Sequence, residues 1–177
     1  MRMQMLSVIG LVALAGCNGA ADEIGRPLPR GALEATATLR DAGGAVIGRA
    51  LARDVHGGLR ITLEAAHLPA GAHGVHLHAV GRCDPPDFSS AGGHWNPNGA
   101  HHGTLHPAGP HLGDLPNLLV PPGGHASLGA NIPGASVSAL LDADGAAIVV
   151  HADRDDMITD PSGNSGMRIG CGVFVPS

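Results

Sequence analysis

The residues with the clearest chemical potential are histidines, twelve in a chain of 177. Two of them, His76 and His78, sit in the run Val75-His76-Leu77-His78. In an extended strand, residues i and i+2 point to the same face. The two imidazoles then stand roughly 7 Å apart at about 3.3 Å rise per residue, which lets both rings converge on one metal ion. His94, His101, His102, His106, His111 and Asp114 follow in the segment 79–114, which is rich in glycine and proline. A structureless loop longer than about 15 residues is uncommon in a compact domain and is usually functional or disordered. This one offers few large apolar side chains to hold it down and many metal-ligand side chains. Metal ions are the economical means of holding it in place.

Ligands on a loop need a scaffold, and the surrounding sequence reads as strands. The segment 33–39 (LEATATL) alternates, 45–51 follows after the turn Asp41-Ala42-Gly43-Gly44, and 59–65 (LRITLEA) comes next. The segment 71–80 is the metal-bearing strand. Weaker strands are predicted at 126–128 and 136–141. Asp144-Gly145 makes a turn into 146–151 (AAIVVH), a buried strand that ends in His151. A second long loop, acidic and glycine-rich, spans 152–166, and 167–175 closes the domain. There is no internal repeat. Short strands joined by hairpin-like turns predict an all-β antiparallel sandwich or barrel.

Composition agrees. One ordinary domain with a real core fits this length. The chain has 28 Gly, 14 Pro, one Trp, two Phe and no Tyr, a balance that favours turns and strands over helices. It has no lysine, and its net charge of −5 with no basic run excludes a general nucleic-acid binder.

Residues 1–16 read as a signal peptide and 17–31 as a flexible tether, with the folded domain at 32–177. Arg2 supplies a positive start, and the apolar segment 5–15 is too short to span a bilayer. Leu14-Ala15-Gly16-Cys17 resembles the bacterial lipobox, in which the cysteine is lipidated and becomes the first mature residue. An ordinary secretory signal with a cysteine near its cleavage site has the same outline. Under either reading the protein is exported, and its other two cysteines meet an oxidising compartment.

The order HxH, GGH, H-x8-H, GDL, VVH and R-x2-CG resembles the copper/zinc superoxide dismutases over nearly the whole mature chain. Several separate segments match in order and internal spacing, which makes the resemblance specific. It implies an eight-stranded antiparallel Greek-key β-barrel or sandwich with two long functional loops. Residue by residue, it implies copper ligands at His76, His78, His94 and His151, and zinc ligands at His94, His102, His111 and Asp114, with His94 bridging. Three nitrogens and a carboxylate suit a closed zinc site, and an all-imidazole set suits copper. His101 adjoins His102, but the glycine after His102 and the spacing favour His102. Asp155, which has Asp153 and Asp156 as neighbours of the same type, resembles the carboxylate that links a copper ligand to a zinc ligand. Cys83 and Cys171 match the family's intrachain disulfide. Arg168 resembles the arginine beside copper that receives the anionic substrate.

The implied activity is dismutation of superoxide to dioxygen and hydrogen peroxide, with His94 moving a proton to the departing product. The implied setting is periplasmic, with membrane attachment only through a lipid on Cys17; a homodimer is compatible with the family. An exported copper/zinc storage or delivery protein is the alternative, and it would not need Arg168 or the disulfide at this spacing. A zinc hydrolase would need an open zinc position, whereas all four here look filled. His56, His67, His73, His106 and His125 have no place in the family pattern and read as surface or loop residues. Among them His106 and His125 are candidates for auxiliary metal binding. The roles of His73, His101, His106 and His125 stay open.

Overall fold

A computed structural model describes residue 31 and residues 33–177 of the chain; the signal segment 1–16, Cys17 and the tether to residue 30 lie outside it. Among the described residues ten strands are present in the order β1 (Glu34–Arg40), β2 (Val46–Val55), β3 (Gly58–Ala65), β4 (Gly71–His73), β5 (Val75–His78), β6 (Leu118–Val120), β7 (Ala126–Pro133), β8 (Ala147–His151), β9 (Arg168–Val173) and β10 (Val175–Pro176). One curled antiparallel sheet runs β5-β8-β9-β1-β2-β3-β7, with β10 also on β1; β4 and β6 pair separately. The chain leaves the β1-β2-β3 meander, crosses to β5 at one edge, returns to β7 at the other, and crosses again to β8. These crossings give the Greek-key connectivity.

The alternation read in the sequence places the core. Ala35, Ala37 and Leu39 of β1, Ala50 and Ala52 of β2, and Leu59, Ile61 and Leu63 of β3 are all buried on one face. Register sets small against large: Ala50 lies opposite Leu63, and Ala52 opposite Ile61. Strand β8 is buried at every position. Its Ile148 and Val150 join the main core, while Ala147 and Val149 pack with Phe88, Ala91 and Cys171 on the other side. Burial on both faces explains why 146–151 reads as a continuous apolar run.

Three features depart from the sequence reading. The segment predicted as one strand, 71–80, breaks at Gly74, whose amide reaches Asp153 O at 2.8 Å. A Cβ there would meet Ser165 at 2.8 Å and the Asp155 and His76 side chains at 3.3 Å. Only glycine admits the second loop this close. The weak strand at 136–141 is instead a single helical turn, α1 (Val137–Leu140). Ser136 caps it by accepting the Ala139 amide at 3.2 Å, and Asp54 Oδ1 accepts the Val137 amide at 2.7 Å. A serine followed by Val137 and Leu140, three apart and both buried, is a helix-start pattern. The short strands Leu118–Val120 and Val175–Pro176 carry too few residues to announce themselves.

The long loop is also less dependent on metal than its composition suggests. It is stitched along the free edge of β5, with Trp95 N to Leu77 O at 2.7 Å, Leu77 N to Gly113 O at 2.9 Å and Ala79 N to Gly93 O at 3.0 Å. Trp95 and Leu115 sit in the main core. A Cβ on Gly113 would lie 2.4 Å from Leu77 O, so this stitch needs a glycine. It also covers an edge strand that would otherwise expose unpaired backbone groups.

Candidate metal centre

Strand parity builds the first centre. Val75 and Leu77 of β5 join the main core, so His76 and His78 face the other way. In the β5–β8 register His76 lies opposite Val149 and His78 opposite Ala147. His151 continues the 147, 149 parity of β8 and therefore shares that face. His94 arrives from the loop through a bridge to His78, and its ring stacks on His76 with centroids 3.9 Å apart.

Four ring nitrogens on that face are buried and have no hydrogen-bond partner: His76 Nδ1, His78 Nε2, His94 Nε2 and His151 Nε2. One ligand atom from each of the four residues lies within 4.8 Å of the others. The opposite nitrogens are all engaged. His76 Nε2–H donates to Asp155 Oδ2 at 2.8 Å, His78 Nδ1–H to Gly92 O at 2.9 Å, and His151 Nδ1–H to Gly166 O at 3.2 Å. Those bonds fix the tautomers and leave lone pairs pointing inward. A buried polar atom left unpaired costs about 1–3 kcal/mol, so four gathered at one point mark a cation site. Burial pushes His78 down to about 2, His151 to about 3 and His94 to about 4, and lowers His76 as well. The imidazoles are therefore neutral and available as ligands at ordinary pH. An all-imidazole set of this kind fits copper.

The second centre forms around one carboxylate oxygen. Asp114 Oδ1 lies 2.9 Å from His94 Nδ1, 3.1 Å from His102 Nδ1 and 3.2 Å from His111 Nδ1. His94 and His111 approach through Nδ1 at 3.4 Å. Asp114 Oδ2 is occupied by the amides of Gly103 at 2.7 Å and His111 at 3.0 Å, so the residue presents a single oxygen. Burial pushes its carboxyl up. The bond from His94, the Gly103 amide and the charges of His102 and His111 outweigh that and hold it well below the usual carboxylate range. Three nitrogens and one oxygen converging this way fit zinc. His94 thus directs Nε2 at one centre and Nδ1 at the other.

Asp155 ties the two sets together. Fully buried, it accepts His76 Nε2–H through Oδ2 at 2.8 Å and His102 Nε2–H through Oδ1 at 3.0 Å. Asn117 clamps its backbone from both sides, Asp155 N to Asn117 Oδ1 at 2.8 Å and Asn117 Nδ2 to Asp155 O at 2.9 Å. Asp153 and Asp156 do not make these contacts; Asp156 instead organises its own turn through Thr159 and Asn164.

Arg168 opens β9, in register with His151. Its guanidinium donates to Phe88 O and Gly92 O, both at 2.6 Å. The Gly92 carbonyl is shared with His78, which links the arginine to a histidine of the first centre. Cys83 and Cys171 form a disulfide with Cα atoms 5.7 Å apart. It joins the Phe88 segment to β9, three residues beyond Arg168.

His73 corrects the sequence reading. It is buried rather than superficial, with Nδ1 2.8 Å from His151 O and Nε2 2.9 Å from Pro69 O. The break at Gly74 turns it under the end of β8. Asn117 and the carbonyls of Gly92 and Gly166 were not singled out from sequence; backbone acceptors leave no mark in residue identity. His101 turns away from both centres, and His67 pairs with His125 at 5.9 Å between ring centres.

Residues 43–174 match the family model for copper/zinc superoxide dismutase. The chain is 42% identical over 136 residues to copper-zinc superoxide dismutase 1 of Aquifex aeolicus, which covers 73% of this chain and 80% of that relative. It is 37% identical over 184 residues to the copper-zinc superoxide dismutase of Deinococcus radiodurans, covering 96% of each. Among solved structures it is similar to a SOD-like protein from Bacillus subtilis, with a TM-score of 0.75 and 39% identity over 79% of this chain and 97% of that one. The Cu/Zn superoxide dismutase from Brucella abortus matches with a TM-score of 0.65 and 28% identity, over 79% and 98%.

Proposed function

The chain belongs to the copper/zinc superoxide dismutase family, and from that membership we propose how its residues convert superoxide to dioxygen and hydrogen peroxide. The observation that carries the assignment is the shared ring of His94, which serves four orphaned imidazole nitrogens on one side and an N3O cluster on the other. Copper would be held by His76, His78, His94 and His151, and zinc by His94, His102, His111 and Asp114. Bound there, copper supplies one-electron redox chemistry and zinc supplies fixed positive charge.

The protein's own groups do the rest. Arg168 receives the anion, and its two carbonyl contacts keep the guanidinium from wandering. His94 holds and releases the proton that the product needs, at Nε2, because Nδ1 is committed to the zinc set. Asp155 keeps His76 and His102 in the tautomers that leave their Nδ1 lone pairs facing inward. The disulfide holds the acceptors of Arg168 against β9. In the chain-entropy model, a closure of this length contributes on the order of 4 kcal/mol.

The outer parts of the chain follow the same reading: a lipoprotein signal at 1–16, a tether at 17–31 and the enzyme domain at 32–177. Lipidation of Cys17 would anchor the enzyme to a membrane outside the cytoplasm, where the disulfide is stable. Mass spectrometry of the native protein would reveal an acylated Cys17; an unmodified mature N-terminus would remove the anchor. The deciding experiment for function is a direct dismutase assay on protein shown by metal analysis to hold one copper and one zinc. Rapid dismutation lost in His78→Gln supports the enzyme. Full loading without activity supports the storage or delivery reading.

A further inference from the structure

Two histidines of the long loop take no part in either centre, yet they are not scattered. His101 Nδ1 lies 2.5 Å from Asp160 Oδ2. The rings of His101 and His106 stack with centroids 4.5 Å apart and planes 22° from parallel. One donor atom from each of His101, His106 and Asp160 lies within 4.8 Å of the other two. The backbone fixes this arrangement, with His101 N to Ala108 O at 3.0 Å, His106 N to Gly103 O at 3.2 Å and Gly109 N to His106 O at 3.1 Å. Asp160 is held as well, because its Oδ1 accepts the His102 amide at 2.6 Å.

We propose that His101, His106 and Asp160 form a third metal site, which takes a borderline divalent ion such as zinc and clips the two long loops together. Two imidazoles and a carboxylate are a donor set that such ions accept. The side chains of His101 and Asp160 are 56% and 43% exposed, so water completes the coordination and the ion exchanges more readily than one in the inner centres. The donors come from two loops, His101 and His106 from 79–117 and Asp160 from 152–166, which otherwise meet here through Leu105 N to Met157 O at 2.9 Å and the Asp160 contacts. His106 must release one bond to bind, since its Nδ1 accepts the Ala108 amide at 3.1 Å. Asp160 also holds the amide of His102, and an ion on Asp160 therefore stiffens the backbone of an inner ligand.

The test uses protein already holding its copper and zinc, so the outcome is independent of how the inner centres are assigned. Equilibrium dialysis against zinc alone should show one further ion per chain. His101→Ala and His106→Ala should each weaken that uptake by more than about tenfold without changing inner copper and zinc contents, and Asp160→Asn should weaken it too. His125→Ala should leave it unchanged. Added zinc should also slow amide exchange at Leu105 and Gly109 in the parent protein but not in Asp160→Asn. Absence of a further ion, uptake indifferent to His101 and His106, or uptake that depends on His125 would each overturn the site. Uptake with no slowing of exchange would overturn the clip.

Discussion

Acid should unfold the metal-free protein with a steepness set by the first centre. Burial holds His78 at about 2, His151 at about 3 and His94 at about 4 in the folded chain, against about 6.5 when unfolded. Below pH 6.5 the unfolded chain takes up protons that the folded chain refuses until its lower pKa is reached. The stability these residues contribute is therefore full above pH 6.5 and is lost as pH falls. Each contributes up to about 1.4 kcal/mol per pH unit, so the three together give about 4 kcal/mol per unit near pH 5. Between pH 6.5 and 5 the integrated loss is about 5 kcal/mol, comparable to the whole stability of a marginal domain. His76, lowered in the same direction, adds to it. Urea unfolding of chelator-treated, disulfide-intact protein at a series of pH values measures the slope. His78→Gln should reduce it by about one proton, or 1.4 kcal/mol per unit. A stability that stays flat from pH 7 to 5 would refute the claim that these nitrogens are buried and neutral.

Asp114→Ala should lower zinc affinity by more than about tenfold and depress the melting temperature, because metal binding free energy is folding free energy; the three copper-only histidines should keep their metal. Chelator competition and calorimetry read both effects. Asp155→Asn should weaken retention of both metals by about 10–100-fold, since one amide cannot accept from both His76 and His102; retention equal to the parent would sink its positioning role. Dismutation should slow as salt rises, despite a net charge of −5, if Arg168 and the bound metal ions make the field at the site locally positive. Arg168→Ala should slow the reaction and flatten that dependence, and Arg168→Glu should slow it further. Pulse radiolysis against ionic strength decides, and a parent rate that climbs with salt would show that global repulsion governs approach.

The part of the site carried by strands was legible because parity is a local property. His76 and His78 declare their common face at spacing two, and the apolar run before His151 declares a strand buried on both sides. The pairing that sets His78 opposite Ala147 is not local; the resemblance of ordered motifs implied only that His151 joins His76 and His78, and not this register. What stayed hidden has physical causes. Gly74 and Gly113 are required by the approach of distant backbone, which a sequence shows only as two more glycines among 28. His73 looked superficial because its partners are the carbonyls of His151 and Pro69. The α1 turn was misread as a strand because Ser136, Val137 and Leu140 span only one turn, too short for a helical period to emerge. The loop looked as though metal alone held it, because the stitch along β5 uses main-chain atoms.

The opposed faces of β5 also constrain how this stretch can change over generations. Val75 and Leu77 serve the core while His76 and His78 face the first candidate centre, on alternate residues of one four-residue strand. Substituting a histidine leaves the hydrophobic packing intact, so a descendant can lose its chemistry and still fold. Deleting or inserting a single residue between Gly74 and Ala79 reverses the parity, sending imidazoles inward and aliphatic side chains toward the ions. Both the barrel and the centre would fail together. Length variation among descendants of this chain belongs in the loops beyond the stitched segments, and the strand itself can drift only one letter at a time.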